Sequence, residues 1–133
     1  MVIGDGRSLP LAIHVESASP AEVTLLGRTL QERFVAEVPQ RLIADKAYDS
    51  DPLREHLMDG YGIILLCPHR SKRRARAWHD GRSIRRYRKR WKIERLISWL
   101  QNQRRLVTRY EFNAANFLGF VQLACALILL KYL

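Results

Sequence analysis

The chain has 133 residues, 47% of them hydrophobic, and a formal net charge of +10. A chain of this length is expected to form one domain, and its apolar content excludes a disordered polycation. The charge is unevenly distributed: residues 1–69 carry 6 Lys and Arg against 10 Asp and Glu, whereas residues 70–133 carry 17 against 3. The second half therefore has the charge expected of a polyanion-binding surface.

The first third of the chain predicts two strands and a helix. The opening "MVIGDGRSLPLAIHV" is typical of a strand, a turn at Asp5-Gly6 and a second strand. Residues 21–36 repeat apolar side chains at three- and four-residue steps. This pattern predicts an amphipathic helix, which Pro39 ends.

The middle of the chain predicts a strand, a helix and another strand. Residues 41–44 are a short apolar run that ends at Asp45. A short helix is expected next, with Asp51 as its N-cap and Gly60 as its end. Residues 61–67 are continuously apolar, which is typical of a strand buried on both faces.

The basic half predicts a loop and two helices. Residues 68–83 lack periodicity and are expected to form an exposed basic loop. One long helix is predicted from Ile84 to Val107, and an apolar core helix, capped by Asn113, is predicted at the C-terminus. The apolar run of that last helix, about 15 residues, is shorter than the roughly 20 that a membrane span needs. The resulting order, β-β-α-β-α-β-α-α, predicts an α/β domain.

The cysteines, Cys67 and Cys125, both stand in apolar runs. They are expected to be buried, reduced thiols.

Three aspartates follow the predicted strand at residues 41–44. Asp45 stands where open α/β sheets bind their ligands, and turn chemistry would explain it equally well. Asp49 and Asp51 are expected to serve the turn and the helix cap.

Glu94 is an isolated acid within the most basic part of the chain. On a continuous helix it would share one polar stripe with Tyr87 and Arg90. The spacing alone allows either a local Arg90–Glu94 ion pair or a metal-binding carboxylate.

Four segments occur in an order that is typical of one protein family. They are the opening strand pair, "LIADKAYDSDPLREHL", "YRKRWKIERLISWLQNQRRLVTRYE" and the closing apolar helix. Together they resemble the DDE transposases of the insertion-sequence 4 and 5 group. That family's signature of Tyr, two residues, Arg, three residues and Glu falls on Tyr87, Arg90 and Glu94.

The resemblance implies a ribonuclease H-like mixed sheet with covering helices over residues 1–133, and metal-dependent cleavage and transfer of DNA strands. Asp45 would be the second acid and Glu94 the third acid of a site for two Mg²⁺ ions. Tyr87 and Arg90 would orient Glu94 or contact DNA near the cleaved phosphate.

The family's first aspartate lies on a strand before the opening strand pair, and no residue here matches it, since Asp5 belongs to a turn. The expectation is an amino-terminally truncated catalytic domain with its first strand missing, an incomplete metal site and no activity alone. Its expected partners are DNA, at element ends and target, and an upstream transposase segment or a second copy of the chain. It would act in the bacterial cytoplasm, next to the nucleoid.

The basic segment is expected to bind DNA. From His69 to Lys92, 12 of 24 residues are Lys or Arg, interleaved with aromatic residues that suit stacking on bases. The residues expected to contact DNA are Arg73, Arg74, Arg76, Trp78, Arg86, Tyr87, Arg90, Trp91, Arg104 and Arg105.

Three alternatives use the same segment without metal chemistry. They are a non-catalytic DNA-binding module or transposase remnant, a basic ribosome- or RNA-associated protein, and a solvated basic helix face.

Overall fold

The computed structural model describes residues 1–17, 20–71 and 83–132 and divides the chain into two compact units. The terminal unit combines Met1–Ala36 with Trp91–Leu133, and the central unit is Glu37–Arg90. Both units contain strands and helices, which confirms the predicted α/β class. The expectation of a single domain over residues 1–133 stays a prediction.

The terminal unit begins with the predicted strand pair. Strands β1 (Val2–Gly4) and β2 (Pro10–Ile13) are antiparallel. In the turn that joins them, Asp5 Oδ1 accepts hydrogen bonds from the backbone N–H groups of Arg7 and Leu9, at 2.7 and 2.8 Å. Asp5 is therefore a turn residue, as predicted.

Helix α1 (Glu22–Gln31) is shorter than the predicted span of 21–36. The backbone N–H of Phe34 donates to the Leu11 carbonyl at 2.7 Å, so this part of the chain bonds to β2 rather than continuing the helix. The prediction was wrong for residues 32–36 because helical periodicity does not reveal a competing strand partner.

The predicted continuous helix from Ile84 to Val107 is wrong. The chain instead forms a 3-10 segment (Ser83–Arg90), helix α3 (Trp91–Gln101) and helix α4 (Arg104–Val107). Five of the eight residues in the 3-10 segment are Lys or Arg. The pattern of the segment does not distinguish 3-10 from α winding, so nothing in the sequence signals the change.

Helix α5 (Ala114–Leu130) begins as predicted, because the Asn113 side chain accepts a hydrogen bond from the Ala115 N–H at 2.9 Å. The predicted burial of this helix is confirmed for one face only, since the other face exposes several leucines. The terminal unit has a continuous apolar core formed by Ile13, Leu96, Leu100, Val121, Ala124, Cys125 and Ile128. Among the residues described, no helix is long and apolar enough to cross a membrane.

Gly4 lies against this core. A Cβ atom at Gly4 would stand 2.8 Å from Leu96 Cδ2, so the strand can approach α3 only where the side chain is absent. Both cysteines are free thiols and buried, as predicted. Burial raises the pKa of the Cys125 thiol to about 11.

The central unit is built on a parallel strand pair. Strands β3 (Arg41–Ile43) and β4 (Ile64–Leu66) pair residue for residue, and helix α2 (Asp51–Tyr61) lies between them in the chain. Across the described residues, hydrogen bonding joins the four strands only as two separate pairs. The ribonuclease H-like mixed sheet over both pairs stays a prediction.

The boundaries of α2 differ from the predicted ones. Ser50 is the N-cap, and Gly62, with φ of 67°, is the C-cap in the left-handed conformation that glycine tolerates. The assignments of Asp51 as N-cap and Gly60 as helix end were wrong by one and two positions.

Candidate active site

Asp45 follows β3 directly and caps the 3-10 turn Lys46–Tyr48. Its Oδ1 accepts a hydrogen bond from the Ala47 N–H at 2.7 Å, and its Oδ2 lies 3.8 Å from Arg90 Nη2. The side chain is 34% exposed. One carboxylate oxygen is thus used by the turn, as one of the two sequence interpretations expected, and the other faces a cation at the carboxyl end of a parallel strand.

Arg90 and Tyr87 form one side of the 3-10 segment. Arg90 Nη1 donates to the Tyr87 hydroxyl at 3.2 Å, and the guanidinium carbon lies 5.9 Å from the centre of the Tyr87 ring. Both residues are partly buried, whereas Arg85, Arg86, Arg88 and Lys89 are exposed. The two partly buried residues are three positions apart, the spacing at which a 3-10 helix places side chains on one face. The predicted polar stripe at 100° per residue does not apply here.

Glu94 lies in the first turn of α3, in the terminal unit, and is exposed. Within the described part of its own unit, no residue donates a hydrogen bond to its carboxylate or pairs with it. A negative charge in the first turn is favourable, because it faces the positive end of the helix dipole. The Arg90–Glu94 ion pair would join two units and stays a prediction.

Two cations of α3 hold the turn between β1 and β2. Lys92 Nζ donates to the Gly6 carbonyl, while Arg95 Nε donates to Ser8 Oγ at 3.0 Å and Arg95 Nη2 to the Arg7 carbonyl at 2.8 Å. Ser8 has a positive φ of 72° and is fully buried, so this turn is held in an uncommon conformation. Sequence reasoning missed this role, because nothing in the spacing links α3 to a turn more than 80 residues earlier.

The residues of α3 and α4 that are predicted to contact DNA differ in how far they already interact with other side chains of the protein. Trp91 is 50% exposed, and the Arg95 guanidinium stacks over its ring at 4.9 Å. Arg104 is exposed. Arg105 pairs with the buried Glu111 carboxylate at 3.1 Å, so part of its charge is already neutralised. Four further predicted contacts, Arg73, Arg74, Arg76 and Trp78, lie outside the described residues, as does most of the predicted loop 68–83.

Asp49 is the acid that sequence reasoning underestimated. Its side chain is 1% exposed and pairs with Arg54, which also pairs with Asp51 at 2.6 Å. The backbone N–H of Arg70 donates to Asp49 Oδ2 at 2.8 Å. Asp49 is therefore the centre of a buried ionic cluster, not a simple turn residue.

Carboxylate oxygens are the donors that Mg²⁺ prefers, so Asp45 and Glu94 have suitable chemistry for a divalent ion. Asp45 Oδ2 has a guanidinium rather than a backbone donor beside it, and Glu94 is open to solvent. Within the ranges the structure describes, no three His, Cys, Asp or Glu side chains are grouped as a metal site.

Comparison with known proteins decides the family. The sequence model of the family described as transposase DDE domain matches residues 1–129. The chain belongs to this family. It is 37% identical over 93 residues to a putative transposase for insertion sequence element IS6501 of Brucella ovis, covering 68% of this chain and 67% of that protein. It is 32% identical over 141 residues to a putative transposase for insertion sequence element IS402 of Burkholderia cepacia, covering 96% of this chain and 60% of that protein. No solved structure matches.

This transposase DDE domain thus spans about two thirds or less of the length of these relatives. The match runs through both compact units, and Asp45 and Glu94 both fall inside it.

Proposed function

We propose that this chain is the metal-binding part of a DNA-cleaving transposase of the insertion-sequence 4 and 5 group, with a ribonuclease H-like fold. The observation that carries the proposal is the position of Asp45, at the carboxyl end of parallel strand β3 with Arg90 and Tyr87 beside it. The antiparallel pair β1–β2 and the parallel pair β3–β4 are both strand arrangements that a mixed sheet of this kind contains.

Asp45 and Glu94 supply two carboxylates of the proposed site. Bound Mg²⁺ ions would provide the Lewis acidity that activates the attacking oxygen and stabilises the leaving oxygen. The chain's own contribution is to hold Asp45 Oδ1 in the turn and to keep Oδ2 beside Arg90. Arg90, whose guanidinium donates to the Tyr87 hydroxyl, would neutralise a DNA phosphate near that acid.

DNA is the proposed substrate and partner. Arg85, Arg86, Arg88 and Lys89 are exposed in one short segment that contains no acid. Such cations bind phosphates mainly by releasing condensed counterions, so the affinity should fall steeply with salt and depend little on sequence. Titration of a fluorescent DNA duplex from about 50 to 200 mM salt tests this, and an affinity that stays flat over that range contradicts it.

The catalytic part is tested by strand cleavage. The chain, alone and joined to the upstream segment of its element, is incubated with Mg²⁺ or Mn²⁺ and DNA that carries the element's ends. Cleavage should disappear in Asp45→Asn and in Glu94→Gln. Asp59→Asn, which removes an exposed acid from α2, is the matched control and should cleave normally.

A second candidate is a non-catalytic DNA-binding module. The four exposed cations of the 3-10 segment favour it, because they need no metal to bind phosphates. DNA binding that survives both acid substitutions, with no cleavage under any of these conditions, would establish the module instead.

A further inference from the structure

Asp49 and Arg70 connect the end of β4 to the turn that carries Asp45. The buried Asp49 carboxylate receives the backbone N–H of Arg70 at 2.8 Å. Because Arg54 also pairs with this carboxylate, its charge is compensated and its position is fixed. The backbone of Arg70 is therefore anchored to the interior of the central unit.

The Arg70 side chain reaches back over the turn. Its Nε donates to the Lys46 carbonyl at 3.2 Å, and its Nη2 donates to the Ala47 carbonyl. A planar guanidinium can hold two carbonyl groups in one fixed relation, which a lysine ammonium cannot do in the same way. The two carbonyls belong to the same turn whose Ala47 N–H holds Asp45 Oδ1.

These bonds form a continuous series from the buried cluster to the proposed metal ligand. Asp49 fixes the Arg70 backbone, the Arg70 guanidinium fixes the Lys46 and Ala47 peptide groups, and the Ala47 N–H fixes one oxygen of Asp45. The other oxygen, Oδ2, is left on the Arg90 side.

We propose that Arg70, anchored by Asp49, is a positioning residue that orients the Asp45 carboxylate for metal. The inference rests on the proposed function only for the metal, since the orientation of Asp45 can be measured without it. Groups that orient a ligand in this way commonly change metal affinity by about 10–100-fold when they are removed.

Arg70→Ala is the central test, because it deletes the guanidinium and leaves the backbone N–H on Asp49. Arg41→Ala is the matched control: it removes an exposed arginine of the same unit, on the strand that leads to Asp45. Circular dichroism and thermal unfolding first establish that both variants fold. Two quantities are then measured on the full chain: amide hydrogen exchange at Ala47 without metal, and the dissociation constant for Mn²⁺ by calorimetry.

The expected result is that Arg70→Ala accelerates exchange at Ala47 about tenfold and weakens Mn²⁺ binding about tenfold, whereas Arg41→Ala changes neither. Arg70→Lys should accelerate exchange at Ala47 nearly as much, because lysine keeps the positive charge but cannot donate to two carbonyl groups with the fixed geometry of a guanidinium. Exchange at Ala47 that stays within about twofold of the unmodified chain in Arg70→Ala, or that rises equally in Arg41→Ala, overturns the positioning role.

Failure of the proposed function would look different. If Asp45→Asn binds Mn²⁺ as well as the unmodified chain, Asp45 is not a metal ligand and the proposed function fails at that point. Exchange at Ala47 still decides whether Arg70 positions the Asp45 turn.

Discussion

Different interactions stabilise the interiors of the two compact units. The terminal unit packs α3 and α5 around an apolar cluster that includes Leu96 and the buried thiol of Cys125. The central unit also has buried leucines, but its N-terminal turn of α2 is fixed by the buried pair of Asp49 and Arg54. Apolar packing tolerates changes of shape poorly but depends on no charged partner, whereas a buried ion pair is lost when either partner is removed.

This difference extends to the two proposed metal ligands. Asp45 is tied by hydrogen bonds to a turn that an ionic cluster supports. Glu94 stands on the outer face of a helix whose opposite face is buried in the apolar core. The orientation of Asp45 should therefore respond to its charged neighbours, while Glu94 should respond mainly to the packing of α3.

The largest effect is expected from Arg54→Met. The substitution keeps most of the side-chain volume and leaves the Asp49 carboxylate buried without its main cation, which should lower the free energy of unfolding by about 3–5 kcal/mol. Urea denaturation measures the change, with Arg41→Ala as an exposed control expected to stay within about 0.5 kcal/mol. A loss in Arg54→Met that is no larger than in the control would mean that the central unit does not depend on this ion pair.

The next effect concerns the apolar unit at alkaline pH. Since burial raises the pKa of Cys125 to about 11, the folded chain retains a proton that the unfolded thiol releases near pH 9. The stabilisation is present below pH 9 and is lost as the pH rises through 11, by up to about 2–3 kcal/mol. Unfolding free energies at pH 8, 9, 10 and 11 should fall more steeply for the unmodified chain than for Cys125→Ala. Parallel slopes would show that the thiol is not protected from ionisation.

A smaller effect is expected from Arg95→Ala. The substitution removes two hydrogen bonds to the turn between β1 and β2, one of them to the buried Ser8, and should cost about 1–2 kcal/mol. Arg85→Ala, on the exposed 3-10 segment, should leave the free energy of unfolding unchanged. It should lower the slope of log affinity against log salt concentration by about one, the value for one phosphate contact. If Arg95→Ala instead behaves like Arg85→Ala, α3 presents its cations to DNA rather than to the hairpin.

The smallest effect on stability is expected from Glu94→Gln. The side chain is exposed and has no partner among the described residues of its unit, so the free energy of unfolding should change by less than about 0.5 kcal/mol. A much larger loss, seen by thermal unfolding, would show that Glu94 is a structural acid and would remove the contrast with the Asp45 turn.

The elements that the sequence predicted well are those with a strong local signal. The strand pair around Asp5, the apolar strands β3 and β4, and the cap at Asn113 depend on residues close together in the chain. The boundaries failed where distant groups compete for the backbone, as where Phe34 bonds to β2. The segment Ser83–Arg90 has helical composition, but its local pattern does not distinguish 3-10 from α winding.

The sequence singles out the proposed site residues but not the groups that support them. Asp45 could be singled out because it ends a short apolar run, and Glu94 because it is one acid among many cations. The support from Arg70 could not be predicted, since it stands 25 positions beyond Asp45 and acts through backbone carbonyls that any sequence would supply. For the same reason, the sequence does not predict that Arg95 bonds to the turn between β1 and β2.

The 3-10 winding of Ser83–Arg90 also sets the linear charge density of the protein at its most basic described segment. Eight residues rise about 16 Å in this winding, against about 12 Å in an α-helix. From Arg85 to Arg90 the five cations are spread over about 10 Å, or about 2.5 Å between neighbours along the axis, compared with 3.4 Å per negative charge along one strand of DNA. An α-helix would bring the same charges to about 1.9 Å apart, so the larger rise per residue of the 3-10 helix moves the spacing of positive charge toward that of a polynucleotide strand.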